Sequence, residues 1–166
     1  ISFETWYKRV LEKLKSNDPK LTSLNLCEDH QVNDLLHLLE RKELCVKAGN
    51  LIGANTHLSG LYINNESDDY GENDEKYQRI MNEHSENYSE FLRGVANNRS
   101  LTVLNLGYLP DESDAVKILR PLFKNNALTT VSFGNCSFIH IGYLTSSLSR
   151  RNSGGGTLKH LSLDGT

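Results

Sequence analysis

Cys27 and His30 stand in a C-x-x-H spacing, half of what a zinc site requires. Structural zinc takes four ligands, and no second cysteine or histidine pair follows at a suitable distance. Cys27 is therefore expected to be a free thiol on a strand. The other cysteines, Cys45 and Cys136, are far from it and from each other. An odd number at unrelated spacings fits reduced thiols in a cytoplasmic protein better than a disulfide framework. The acidic run ESDDYGENDEK, Glu66 to Lys76, holds enough carboxylates to attract calcium. Gly71 is not preceded by the alternating acids of an EF-hand loop, so the run is expected to be a solvated loop or a docking loop for a basic partner. Gly154, Gly155 and Gly156 lack the Lys-Ser/Thr that completes a phosphate loop. The six histidines form no cluster. No nucleophile–base pair and no distinctive carboxylate pair appears, so the chemistry indicated is binding, with no enzymatic activity, no metal and no cofactor.

Composition narrows the partner. The chain has 166 residues and a formal net charge of -3, which suits a single domain over 1–166. A nucleic-acid binder would carry a basic stripe, and none is present. No apolar run reaches the roughly 18 residues of a membrane span, so neither nucleic acid nor membrane is expected. The first residue is Ile1 and the last stretch is SLDGT, a strand with no helix after it to cover it. Terminal repeats are normally capped, so the chain is expected to be a fragment that continues naturally past Thr166. Asn-x-Ser/Thr sequons at Asn65, Asn87, Asn98 and Asn135 arise readily in so asparagine-rich a chain and carry no weight.

The elements that must position any binding group are written as a repeat. The frame L-x-x-L-x-L occurs at Leu21, Leu24, Leu26; at Leu58, Leu61, Ile63; at Leu101, Leu104, Leu106; at Leu128, Val131, Phe133; and at Leu158, Leu161, Leu163. The starts stand 37, 43, 27 and 30 residues apart. The last interval includes the glycine loop, so the basic unit is about 27 to 28 residues, with insertions of about 10 and 16 in the first two units. The larger insertion spans residues 65–90 and is rich in acids. Three residues before four of the frames stand Asp18, Asn55, Asn98 and Asn125. These types tolerate the left-handed conformation that ends helices, so each is expected to turn the chain from a helix into a short strand.

Between frames the apolar period lengthens toward 3.6. Tyr88, Phe91, Leu92, Val95 and Ala96 share one helical face, as do Val116, Leu119, Leu122 and Phe123, with Pro121 expected to kink or end the latter helix. Leu35, Leu36, Leu38 and Leu39 mark another helix, and Leu144 with Leu148 one more. Phe3, Tyr7, Val10, Leu11 and Leu14, with Trp6 beside them, predict a helix ahead of the first strand.

The frame and its period resemble the leucine-rich repeat. That resemblance implies an α/β fold: a right-handed solenoid of about five strands, with a curved parallel sheet inside and helices outside. The unit length and LTTVSFGNCSFIHIG, Leu128 to Gly142, are similar to the ribonuclease-inhibitor type, with Cys136, Phe138 and Gly142 at that family's Asn/Cys, apolar and glycine positions. Leu109 and Pro110 depart from the pattern in the third unit. The opening RVLEKLKSNDPKLTSLNL, Arg9 to Leu26, is similar to the start of the leucine-rich domain of tropomodulins. The resemblance implies a scaffold that binds another protein and has no catalytic residues.

Side chains alternate along a strand, so positions between frame leucines face the concave side. The central row reads Asn25, Tyr62, Asn105, Ser132, Ser162, and the row before it Ser23, Gly60, Val103, Thr130, His160. Asn64, Tyr108, Asn135 and Asp164 follow the frames. The expected partner-binding residues are Tyr62, Asn64, Asn105, Tyr108, Asn135, His160 and Asp164, with the tyrosines as anchors because they offer large area at low rotamer cost. Two alternatives are a tropomodulin-like actin-associated protein and a structural or sensing segment of a larger receptor or effector.

Overall fold

The computed structural model describes residues 2–26, 34–63, 79–80, 82–107, 109, 119–122, 124–125, 127–134, 142 and 158–164. Phe3–Lys15 form helix α1, followed by strand β1 (Ser23–Asn25). Helices α2 (Asp34–Leu39) and α3 (Lys42–Ala54) lead to β2 (Gly60–Ile63), and α4 (Ser85–Val95) leads to β3 (Val103–Leu106). Strands β4 (Thr130–Gly134) and β5 (His160–Asp164) complete the order. All five strands lie in one parallel sheet in chain order.

The frame leucines set the register. Leu24, Leu61, Leu104, Val131 and Leu161 pair in one line across the sheet. Leu58, Leu61, Ile63, Leu101, Leu104, Leu106, Leu128, Val131 and Phe133 are all buried, at 2% exposure or less. They share a core with Tyr88, Phe91, Leu92 and Val95 of α4 and with Phe3, Tyr7, Leu11 and Leu14 of α1. Each such side chain contributes about 1.5–3 kcal/mol by leaving water. Because burial alternates along the strands, the helices cover one face of the sheet and leave the other open.

The starts of β2, β3 and β4 are each tied to the previous strand by a hydroxyl. Ser59 Oγ donates to the Thr22 carbonyl (3.0 Å), Thr102 Oγ1 to that of Ser59 (3.2 Å) and Thr129 Oγ1 to that of Thr102 (3.1 Å). After the second, third and fourth frame leucines the residue is therefore Ser or Thr for structural reasons, and its hydroxyl is already committed; Lys159 follows the fifth.

The asparagines ahead of the frames form a second ladder, by a different device from the left-handed turn expected of them. Asn55 has φ -70° and ψ 135°, and the only non-glycine residue with positive φ among those described is Asn17, at 51°. The amide itself does the turning. Asn98 Oδ1 accepts from the backbone N–H of Ser100 (2.8 Å) and Leu101 (2.6 Å), and Asn55 Oδ1 accepts from those of His57 (2.9 Å) and Leu58 (2.7 Å). Asn98 Nδ2 then donates to the carbonyls of Ile52 (2.6 Å) and Asn55 (2.7 Å), and Asn125 Nδ2 to those of Ala96 (3.0 Å) and Asn98 (2.6 Å). Asp18 keeps only the turn, accepting from Lys20 N–H at 2.9 Å, because a carboxylate has no N–H to send backward. Asn98 is fully buried and both amide hydrogens face carbonyls, so its sequon cannot carry a glycan in the folded chain.

Two other expectations change. The first unit's extra residues form α3, a second helix beside the one marked by Leu35 to Leu39. The end of the acidic insertion is helical: Glu86 and Glu90 lie on α4, pairing with Lys42 (2.9 Å) and Arg93 (2.7 Å). Pro121, expected to kink or end its helix, stands in a helical stretch over 119–122 that closes just after it, through Lys124 N–H to Pro121 C=O and Asn125 N–H to Leu122 C=O. The helix marked by Leu144 and Leu148, the run Glu66 to Lys76, the glycine loop, Cys27 and Cys136 lie outside the described residues. No described helix is long and apolar enough to cross a membrane.

Among the described helices, α3 and α4 make the most extensive contact. A Cβ on Gly49 would overlap the Phe91 carbonyl oxygen, one on Gly53 that of Gly94, and one on Gly94 the backbone of Gly49 and Asn50. The two backbones touch where these glycines meet.

Candidate protein-binding face

The open face of the sheet is where a ligand has room. Its central row pairs Asn25, Tyr62, Asn105, Ser132 and Ser162 across the five strands. At about 4.8 Å between neighbouring strands, the row spans about 19 Å. The parallel row of Ser23, Gly60, Val103, Thr130 and His160 lies two residues earlier in each strand.

Tyr62 is the one large hydrophobic residue left exposed among those described, at 37%. Its ring lies along its own strand over Gly60. A Cβ on Gly60 would stand 3.0 Å from Tyr62 Cε2 and 3.3 Å from the hydroxyl oxygen. The absent side chain at residue 60 therefore makes the bed for the ring at residue 62, and Gly60 is buried beneath it. The ring presents its outer side to solvent.

Asn105 stands next to Tyr62 on β3, half-buried, and Ser132 next to that on β4. His160 is exposed, three strands from β2 in the adjacent row. The sheet thus brings Tyr62, Asn105 and His160 to one face. Asp164 belongs to β5 and pairs in register with Gly134; its side chain, like Asn64, Tyr108 and Asn135, lies outside the described residues. The hydroxyls of Ser59, Thr102 and Thr129 serve the neighbouring strand and are not part of a recognition surface.

Such a face offers an aromatic anchor flanked by neutral amides and hydroxyls. It can stack on apolar groups and exchange hydrogen bonds with peptide groups and polar side chains, the chemistry of protein recognition. Among the described residues no group of three His, Cys, Asp or Glu side chains could hold a metal ion. Cys45 is buried on α3, with its thiol donating to the Leu38 carbonyl at 3.0 Å. Burial pushes its pKa up to about 12, so the thiol stays protonated and unreactive.

Sequence reasoning missed the role of Gly60. The signal was available in the strand SGLYI, where glycine takes a place on the open face two residues from the tyrosine.

No protein-family model and no curated protein sequence matches this chain. Among solved structures, the chain is similar to leiomodin-1 Actin-Binding Site 2, with a TM-score of 0.63 and 20% identity over 96% of this chain and 79% of that one. The C-terminal domain of a Caenorhabditis elegans tropomodulin also aligns, at a TM-score of 0.44 and 12% identity over 89% of this chain and 93% of that one. The likeness to the leiomodin-1 structure is one of fold.

Proposed function

We propose that this chain is a cytoplasmic protein-interaction scaffold, a leucine-rich-repeat solenoid without catalytic activity, that binds actin through the open face of its sheet. The single observation that carries the binding reading is Tyr62: a large aromatic side chain left exposed at 37% and laid over Gly60. Burying a tyrosine anchor of this kind is worth about 2 kcal/mol or more at an interface centre. The solenoid reading is supported by five parallel strands in chain order and by the two side-chain ladders that join successive units. The unit of about 27 residues and the helices on one side of the sheet support the ribonuclease-inhibitor type of repeat. Actin is favoured because the fold is shared with a leiomodin-1 domain described as an actin-binding site.

Co-sedimentation with filamentous actin tests the proposal, using the wild-type chain and Tyr62→Ala. We expect pelleting with actin, weakened about thirty-fold or more by the variant, which corresponds to roughly 2 kcal/mol. Unchanged pelleting by Tyr62→Ala would move the contact off the open face. If the chain stays in the supernatant, a crosslinking pull-down with the same pair identifies another partner by its loss in the variant.

A further inference from the structure

A second surface lies on the helix side of the sheet, away from Tyr62. Helices α1 and α3 leave between them a groove of about 650 Å³, lined by Tyr7, Lys8, Leu11, Glu12, Lys15, Lys47, Asn50 and Leu51. Its floor is apolar: Tyr7 and Leu11 are buried and Leu51 is half-buried. Tyr7 contributes its ring, because its hydroxyl is turned away to donate to the Leu44 carbonyl at 3.1 Å. The rim is basic. Lys8, Lys15 and Lys47 are exposed around it against the single carboxylate of Glu12, on a chain whose net charge is -3.

The groove is preformed. At one end the Tyr7–Leu44 hydrogen bond ties α1 to α3. At the other, Asn17 Nδ2 donates to Thr56 Oγ1 (2.8 Å) and Asn17 Oδ1 accepts from Thr56 N–H (2.9 Å), just beyond the ends of the two helices. Asn17 reaches this position through its left-handed backbone, φ 51°. Helix α3 is held from behind by its glycine contact with α4. The walls are fixed at both ends, so the groove does not close by sliding one helix onto the other.

We propose that this groove docks an acidic amphipathic helix of another protein, its apolar stripe on Tyr7, Leu11 and Leu51 and its carboxylates on Lys8, Lys15 and Lys47. The lining residues of α1 run from Tyr7 to Lys15, about 12 Å of helix, which matches a ligand helix of two to three turns. Helices recognised in grooves present anchors at i, i+3, i+4 and i+7, a stripe of the required width. Charge complementarity selects an acidic helix over a basic one and raises the rate of encounter.

The test is fluorescence anisotropy with a labelled peptide of about 14 residues, leucine along one helical stripe and glutamate elsewhere, titrated with the full chain. Saturable binding is expected. It should weaken about ten-fold or more in the triple variant Lys8→Glu/Lys15→Glu/Lys47→Glu, and in Leu51→Gln, which removes floor while keeping the helix. Lys20→Glu, at an exposed lysine outside the groove, controls for charge reversal elsewhere on the surface and should leave binding unchanged. Circular dichroism melts establish that each variant is folded. The proposal is overturned if no peptide binds, if the lysine-for-glutamate peptide binds equally well, or if Lys20→Glu weakens binding as much as the triple variant. Lysine-dependent binding to anionic lipid vesicles with none to the peptide would overturn it in favour of a membrane surface. None of these outcomes bears on the open face, which lies across the sheet.

Discussion

The Asn98 side chain spans two successive units: its Nδ2 donates to the Asn55 carbonyl at 2.7 Å while its Oδ1 holds the turn into β3. Asn55 and Asn98 are equivalent in sequence but not in what their second amide atom does. Asn55 Nδ2 is buried with no hydrogen-bond partner among the described residues, whereas Asn98 Nδ2 faces two carbonyls. Substitution to Asp therefore separates them. At residue 98 a carboxylate oxygen would meet two carbonyl oxygens; at residue 55 it would lose no hydrogen bond. Chemical denaturation should show Asn98→Asp to be the more destabilising, by about 2 kcal/mol or more. Equal losses would mean that the backward bonds of Asn98 contribute little.

Alanine normally stabilises a helix relative to glycine by about 0.5–1 kcal/mol. At Gly49 and Gly94 the sign should reverse, since the added methyl would overlap the backbone of the facing helix. Gly49→Ala and Gly94→Ala are each expected to lower stability by about 1–3 kcal/mol, measured by thermal or urea unfolding. A neutral or stabilising result at both positions would show that α3 and α4 separate at little cost.

Gly60 and Tyr62 form a unit on the open face. Gly60→Ala sets a methyl 3.0 Å from the ring, so the ring must lift. Partner affinity should fall in Gly60→Ala although the contacting side chain is intact, and Tyr62→Phe should keep most of it. Affinity for actin, read from co-sedimentation at increasing actin concentration, checks both. Retained affinity in Gly60→Ala would show that the ring's orientation is unimportant.

Alkaline pH should destabilise the fold through two buried acids. Burial raises Cys45 from 9.0 to about 12, and burial followed by the nearby Cys45 raises Tyr7 from 10.0 to about 12. Both groups hold their protons longer in the folded chain than in the unfolded one. Their contribution is complete below about pH 9 and is lost as the pH rises toward 12. Cys45→Ala and Tyr7→Phe should each flatten the decline of melting temperature above pH 9. An unchanged slope in both would place the titrating groups elsewhere.

Much of the molecule was legible from local pattern. The frame L-x-x-L-x-L predicted five strands, their parallel order and their register, because alternation leaves one face apolar and a slip of one residue would expose every leucine. The helical faces around Phe3 to Leu14 and Tyr88 to Ala96 were equally plain. Helix α3 was not foreseen, although Leu44, Cys45, Ala48 and Ile52 follow a helical period, because its residues were counted as an insertion rather than as an element.

What tertiary structure alone decided are the relationships between units. Asn55, Asn98 and Asn125 could have turned the chain by left-handed backbone or by a side-chain hydrogen bond, and both use the same residue type. At Asn98 and Asn125 the buried carbonyls of the preceding unit, which need donors, selected the second. The left-handed role fell to Asn17, where the distant Thr56 fixes the side chain. The closeness of Gly49 to Gly94, the resting of the Tyr62 ring on Gly60 and the groove between α1 and α3 follow the same logic. A one-dimensional period states which residues face inward, whereas contact distances depend on how deeply two elements settle, and that is set by the side chains both of them lack.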